Sequence, residues 1–223
     1  FLLDERDLQR EGTLSKTSTT IPAAGSADFV NIEINSKTNW KAESAQDWIT
    51  PINSESRSGS HRVDFDVDAN DSVYPRTGSI EIAGNSIVVN QLGYNASLET
   101  DSSQFGPDGG GSQLKVQTEA GAIWTAESDS AWVTILEPNL DTLTGKGRGK
   151  GPGTVFFVLD TYSSPVLLRT ATLTIAGLSH VVTQNGYELS VDPLVAEIEG
   201  NSGSLTLTVT APIGAVWEAI TTT

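Results

Sequence analysis

The stretch RTGSIEIAGNSIVVNQLGY at 76–94 recurs as RTATLTIAGLSHVVTQNGY at 169–187, without a gap and with 11 of 19 positions identical. A chain that repeats itself at this interval builds the same unit more than once, which excludes a single large core. Upstream, WKAESAQDWIT (40–50) matches WTAESDSAWVT (124–134), with both tryptophans in register. Trp40 to Trp124 spans 84 residues and Arg76 to Arg169 spans 93, so the second copy is nine residues longer between those landmarks. A third copy opens at Tyr187, because Tyr94 to Trp124 and Tyr187 to Trp217 are both 30 residues. The expected organisation is an N-terminal segment (1–9), repeat one (10–93), repeat two (94–186) with a long loop at 136–153, and a partial third repeat (187–223). Tyr94 and Tyr187 stand at the seams, where almost no linker separates one copy from the next.

Within a repeat the hydrophobic period is two. FVNIEIN (29–35) and VDFDVDA (63–69) place Val30, Ile32 and Ile34, then Val63, Phe65 and Val67, on one face of a strand. SIEIAGNSIVV reads as two strands around a tight Gly84-Asn85 turn. No segment carries a helical period. About seven short strands per repeat, separated by turn signals, predict an all-β chain of tandem immunoglobulin-like sandwiches.

The ordered set Trp…Trp-[Ile/Val]-Thr…alternating strand…Arg-Thr…Val-Val-x-Gln-x-Gly resembles the BACON family (Bacteroidetes-associated carbohydrate-binding, often N-terminal). In repeat one it rests on Trp40, Trp48, Arg76, Gln91 and Gly93, and in repeat two on Trp124, Trp132, Arg169, Gln184 and Gly186. The resemblance implies a non-catalytic sandwich module of an exported or cell-surface bacterial protein, extracellular or periplasmic, with a glycan or glycoprotein as partner; the alternatives are a structural spacer presenting a neighbouring catalytic or binding domain, and a partner-binding module using the basic loop. It implies no particular sugar-binding residues.

Composition narrows the chemistry. With no cysteine there is no disulfide, thiolate metal site or thiol nucleophile. A formal net charge of −15 opposes nucleic-acid binding, which needs clustered Lys and Arg. No apolar run approaches the ~18 residues of a transmembrane helix. FLLDERDLQR, at the start, is too short and too charged for a signal peptide, which predicts a trimmed N-terminus. The two histidines, His61 and His180, do not recur between copies, and the carboxylates form no acid–base pattern, so no catalytic residue and no cofactor is expected.

Three features remain as candidate contacts. GKGRGKG (145–151) sets Lys146, Arg148 and Lys150 between glycines in the inserted part of repeat two. It is no P-loop, since the G-x-x-x-x-G-K-[ST] frame is missing; it predicts a flexible hairpin loop able to meet an acidic ligand or partner. The matched tryptophans either fill cores or stack on sugar faces: Trp40, Trp124 and Trp217 are expected in cores, and Trp48 and Trp132, for which a core place is also expected, are the candidates for stacking. Finally, VFFVLD is apolar on both faces, so Phe156 and Val158, where repeat one has Asp64 and Asp66, are expected to be covered by 136–153 or by a partner. Asp64, Asp66 and Asp68 alternate like calcium ligands, but Ala69 and Pro75 stand where an EF-hand needs Gly and Glu, so no metal is predicted. In the third copy Leu205, Leu207, Val209 and Trp217 are expected to pack against repeat two or a second molecule. Burial of Trp217 separates an appended part of repeat two from a half-sandwich that continues beyond residue 223.

Overall fold

The computed structural model describes residues 12–52, 54–136, 140–141, 146–165, 167–198, 200 and 203–221. These residues form strands and turns and no helix. The chain divides into two compact units, Phe1–Ala96 with Thr118–Trp124, and Ser97–Gln117 with Thr125–Thr223.

In the first module, ten strands follow in order: β1 (Gly12–Leu14), β2 (Ser18–Ile21), β3 (Ser26–Ile34), β4 (Asn39–Trp40), β5 (Ala42–Glu43), β6 (Ile49–Pro51), β7 (Arg57–Ser58), β8 (His61–Val67), β9 (Arg76–Ile82) and β10 (Asn85–Gln91). They make two four-stranded sheets, β1-β3-β8-β6 and β2-β10-β9-β5, with β4 and β7 as a separate ladder. The count exceeds the expected seven because bends cut longer runs. Thus β1 joins β3 antiparallel while β2, a few residues on, crosses to the other sheet and runs parallel to β10.

The period-two pattern places one residue in two inward. Val30, Ile32, Val63, Phe65 and Val67 from one sheet meet Ile80, Ile82, Ile87 and Val89 from the other in a single buried core. Lys16 and Thr19 each donate to Asp28 Oδ2 at 2.6 Å, tying the crossing segment to β3. Burial alone would raise the Asp28 pKa, but hydrogen bonds from Lys16, Thr19 and the Phe29 N–H outweigh it and hold the carboxyl below its ordinary 3.8. A lowered folded-state pKa gives stability that is full above 3.8 and is lost as pH falls through the folded value. Asp28→Asn is therefore expected to destabilise the chain near pH 6 and to flatten its acid-side loss, measured by urea unfolding between pH 6 and 2.

The second module repeats the plan: β11 (Ala96–Leu98), β12 (Ser102–Phe105), β13 (Gly110–Thr118), β14 (Ile123–Ser128), β15 (Val133–Ile135), β16 (Leu140–Asp141), β17 (Lys146–Lys150), β18 (Gly153–Leu159), β19 (Leu168–Ile175) and β20 (Leu178–Asn185). The sheets are β11-β13-β18-β15 and β12-β20-β19-β14-β17-β16, and β12 runs parallel to β20 as β2 does to β10. Leu114, Val116, Val155, Phe157, Leu173, Ile175 and Val182 are among its buried side chains.

Both β9–β10 and β19–β20 close on two-residue turns at Ala83-Gly84 and Ala176-Gly177, one residue earlier than the expected Gly84-Asn85. All four residues have positive φ (51° and 74°, 53° and 77°), the mirror-image turn whose twist matches a hairpin. The signal was misplaced because alanine rarely adopts that region.

After β20, β21 (Ser190–Asp192) and β22 (Thr208–Thr210) pair as a two-stranded ribbon. The expected packing of this segment does not occur within the chain: Leu205, Leu207 and Trp217 are exposed and Val209 is half-buried. The physical reason is that a two-stranded ribbon by itself buries little apolar surface.

Candidate functional site

The two motif tryptophans expected to meet sugar belong to a repeated polar latch. In the first module the Arg76 guanidinium lies 4.2 Å from the Trp48 ring centre. Arg76 Nε donates to Gln91 Oε1 (2.7 Å), and its Nη2 donates to the carbonyls of Asp68 and Ala69 (3.1 and 3.0 Å). Gln91, fully buried, donates through Nε2 to the carbonyls of Pro22, Ala23 and Asp68 (3.2, 3.4 and 2.8 Å). Four chain segments are pinned by one arginine and one amide.

The second module reproduces this geometry. Arg169 lies 4.2 Å from the Trp132 ring centre and 4.5 Å from that of Tyr162, and donates to Gln184 Oε1 (2.9 Å) and to the carbonyls of Asp160 and Thr161. Gln184 Nε2 reaches the carbonyls of Gly106, Pro107 and Asp160. A sugar stacking on Trp48 or Trp132 would compete with its arginine. Each half-buried tryptophan thus carries an arginine against its ring. Trp40 and Trp124 are buried as expected, and Trp40 Nε1 donates to the Gly59 carbonyl (2.9 Å).

The basic segment is not a flexible loop. Residues Lys146–Lys150 form β17, between β14 and β16 in the six-stranded sheet. Gly147 explains why. A Cβ there would come 2.9 Å from Ile135 Cγ2 and 3.1 Å from the Ala126 Cβ, so only glycine lets the strand lie this close to its neighbours. With Gly147 buried, Arg148 and Lys150 are exposed. The side chain of Lys146 lies outside the described residues, as do 137–139 and 142–145 of the inserted segment. In the first module β4 and β7 form the short counterpart, pairing Trp40 with Arg57.

Phe156 and Val158 occupy the outer face of β18, opposite Gln113 and Gly111 of β13. Phe156 is exposed and Val158 half-buried. The first module puts its outer aromatic on the partner strand instead. There Phe29 of β3 faces Asp64, and the Arg62 guanidinium lies 3.8 Å from its ring centre. Arg62 also pairs with Asp64 at 2.7 Å, which gives one of the alternating aspartates a structural partner. Among the described residues no three His, Cys, Asp or Glu groups gather as a metal site.

His180, buried, stands where the first module has Ile87. Its Nδ1 lies 2.9 Å from the Thr100 carbonyl and its Nε2 2.8 Å from Ser103 Oγ. A carbonyl only accepts, so Nδ1 carries a proton toward Thr100, and Nε2 shares its hydrogen bond with the serine hydroxyl. The serine's hydrogen bond is spent on holding β12 to β20.

Residues 38–92 match the model of the BACON family, described as "Putative binding domain, N-terminal". The match lies within the first module. It contains Trp40, Trp48, Arg76 and Gln91, so the side chains of the latch lie inside it, while the Pro22 and Ala23 carbonyls they hold lie before it. No curated protein matches the chain. Among solved structures, a Bacteroides ovatus GH5 xyloglucanase in complex with a XXXG heptasaccharide is 19% identical over 36% of this chain, with a TM-score of 0.33. This chain covers 18% of that enzyme's length. The I9-I11 tandem from titin is 8% identical, covers 81% of this chain and 68% of its own, and has a TM-score of 0.31. A Porphyromonas gingivalis W83 protein of unknown function is 6% identical, over 78% of this chain and 99% of its own, with a TM-score of 0.28.

Proposed function

We propose that this chain is a non-catalytic binding segment of an exported, surface-exposed protein, with a carbohydrate or glycoprotein as its partner. The BACON match supports a binding module, and the single observation that carries the choice of surface is the β17 strand. Its glycine is packed inward while Arg148 and Lys150 stand exposed, two positions apart and roughly 7 Å along the strand. Lys146 opens the same strand. Cations held on a strand, rather than on a loose loop, lose less freedom on meeting an anionic glycan.

A glycan array on the intact chain tests this. Binding to acidic glycans is expected, weakening as salt rises from 50 to 500 mM, and Arg148→Ala with Lys150→Ala is expected to lower it about tenfold or more. Binding that ignores both salt and these substitutions would place the contact elsewhere.

The latch supports a second role, a structural spacer that presents another domain. It occupies both motif tryptophans and pins four backbone segments in each module, which serves rigidity. Phe156 would then be the contact to a neighbouring domain or partner. An array without any hit, combined with unchanged stability of the Arg148 and Lys150 variants, favours the spacer.

A further inference from the structure

The second module carries a groove of about 380 Å³ where β19 begins and β20 ends, lined by Leu167, Leu168, Asn185, Tyr187, Glu188 and Leu189. Tyr187 is its fixed point. Its N–H donates to the Ser164 carbonyl (3.0 Å) and its hydroxyl to Asp108 Oδ1 (3.3 Å), so backbone and ring tip are both tethered. Burial, then the charge of Asp108, raise the phenol above its ordinary 10.0, which keeps the ring neutral and the hydroxyl a donor. Asn185 accepts from Gln104 Nε2 through its oxygen (3.3 Å) and brings an amide donor, while Glu188 brings an exposed acceptor. Leu167 and Leu168 are 63% and 62% exposed, an apolar wall turned to solvent.

This lining selects a ligand by chemistry. A tethered aromatic ring and two leucines favour the C–H face of a ligand, and the amide and carboxylate favour its hydroxyls. Among the described residues no Lys or Arg lines the groove, and Glu188, together with Asp108 at the Tyr187 hydroxyl, repels anions. The volume lies at the small end of the ~300–1,000 Å³ usual for ligand sites, which suits a short sugar chain rather than a protein surface. The site belongs to the second module alone, because Leu92 and Asn95 stand at the positions of Asn185 and Glu188 in the first.

We propose that this groove is a subsite for neutral saccharide, separate from the cations of β17. The proposal rests on the carbohydrate reading above and deepens it.

The test is a titration of the intact, 15N-labelled chain with cellotetraose, xylotetraose and mannotetraose, with tetragalacturonate as the anionic probe. At least one neutral tetrasaccharide is expected to shift the amides of Asn185, Tyr187 and Glu188, at an affinity unchanged between 50 and 500 mM salt. Tyr187→Leu and Asn185→Ala are each expected to weaken it about tenfold, and Tyr187→Phe, which keeps the ring, by no more than about threefold. Neutral sugars without effect on these amides overturn the proposal, as does undiminished binding in a folded Tyr187→Leu variant. If only tetragalacturonate binds, and Arg148→Ala with Lys150→Ala abolishes it, the groove proposal fails and the β17 reading survives. If no saccharide binds at all, both fail.

Discussion

Replacing Gln91 by leucine is expected to destabilise the first module by about 3–5 kcal/mol, although leucine nearly matches the amide in volume. Gln91 is fully buried and donates to three backbone carbonyls while accepting from Arg76. Leucine removes three donated and one accepted hydrogen bond, each worth about 0.5–1.5 kcal/mol, although the Pro22, Ala23 and Asp68 carbonyls keep the Gly25 N–H, the Asn70 N–H and Arg76 as second donors. It also removes the acceptor that sets the arginine over Trp48. For a domain of this size the melting temperature should fall by roughly 15–25 °C, read by circular dichroism on the intact chain. Arg76→Met should cost less, about 1–2 kcal/mol, because its Nη2 bonds lie at an exposed edge where water can replace them. Equal costs for the two, or a Gln91→Leu shift of only a few degrees, would mean that the amide is not the centre of the latch. Gln184→Leu should reproduce the effect in the second module, where the same three kinds of contact recur.

Gly186→Ala is expected to cost the second module about 3–5 kcal/mol, a loss in the range reserved for forced backbone displacement. A Cβ at Gly186 would sit 2.2 Å from the Ser164 carbonyl oxygen and 2.6 Å from that of Leu167. Neither atom belongs to a side chain that can swing away, and the Gly186 N–H itself donates to Leu167 O at 2.6 Å. Gly93 is in the same position in the first module, with a Cβ 2.1 Å from the Val73 carbonyl oxygen. Gly111→Ala is the control: a Cβ there meets nothing within 4 Å, so its cost should stay below about 0.5 kcal/mol. Denaturant unfolding of the three variants decides the matter, and a Gly186→Ala chain as stable as Gly111→Ala would refute the close approach.

Much of this was legible in the amino-acid order. Period-two alternation placed Val30, Ile32, Val63 and Phe65 inside, because side chains of a strand alternate whatever the strand pairs with. The repeat placed the second module's strands once the first module's were known. It also marked Trp48, Arg76, Gln91 and Gly93 as a set, since each reappears in register in the second copy. What the set does was not legible. Its members are 7 to 69 residues from the groups they touch, and their contacts are largely to backbone carbonyls, which carry no sequence signature.

The basic segment shows the same limit from the other side. Gly-Lys-Gly-Arg-Gly-Lys-Gly has the local preferences of a loop, and only the tertiary structure supplies Ile135 and Ala126 as the surface against which a glycine strand can lie. Trp217 matched Trp40 and Trp124 in spacing and in its neighbours, yet it is exposed where they are buried. Spacing assigns a residue to a position in a repeat; burial needs packed sheets, and among the described residues β21 and β22 pair only with each other. Sequence by itself determined which faces are apolar and which residues recur, because both follow from local geometry. The tertiary structure alone decided that the tryptophans hold arginines, that the cations ride on a strand, and that Tyr187 lines a groove, because each depends on backbone groups brought together from distant parts of the chain.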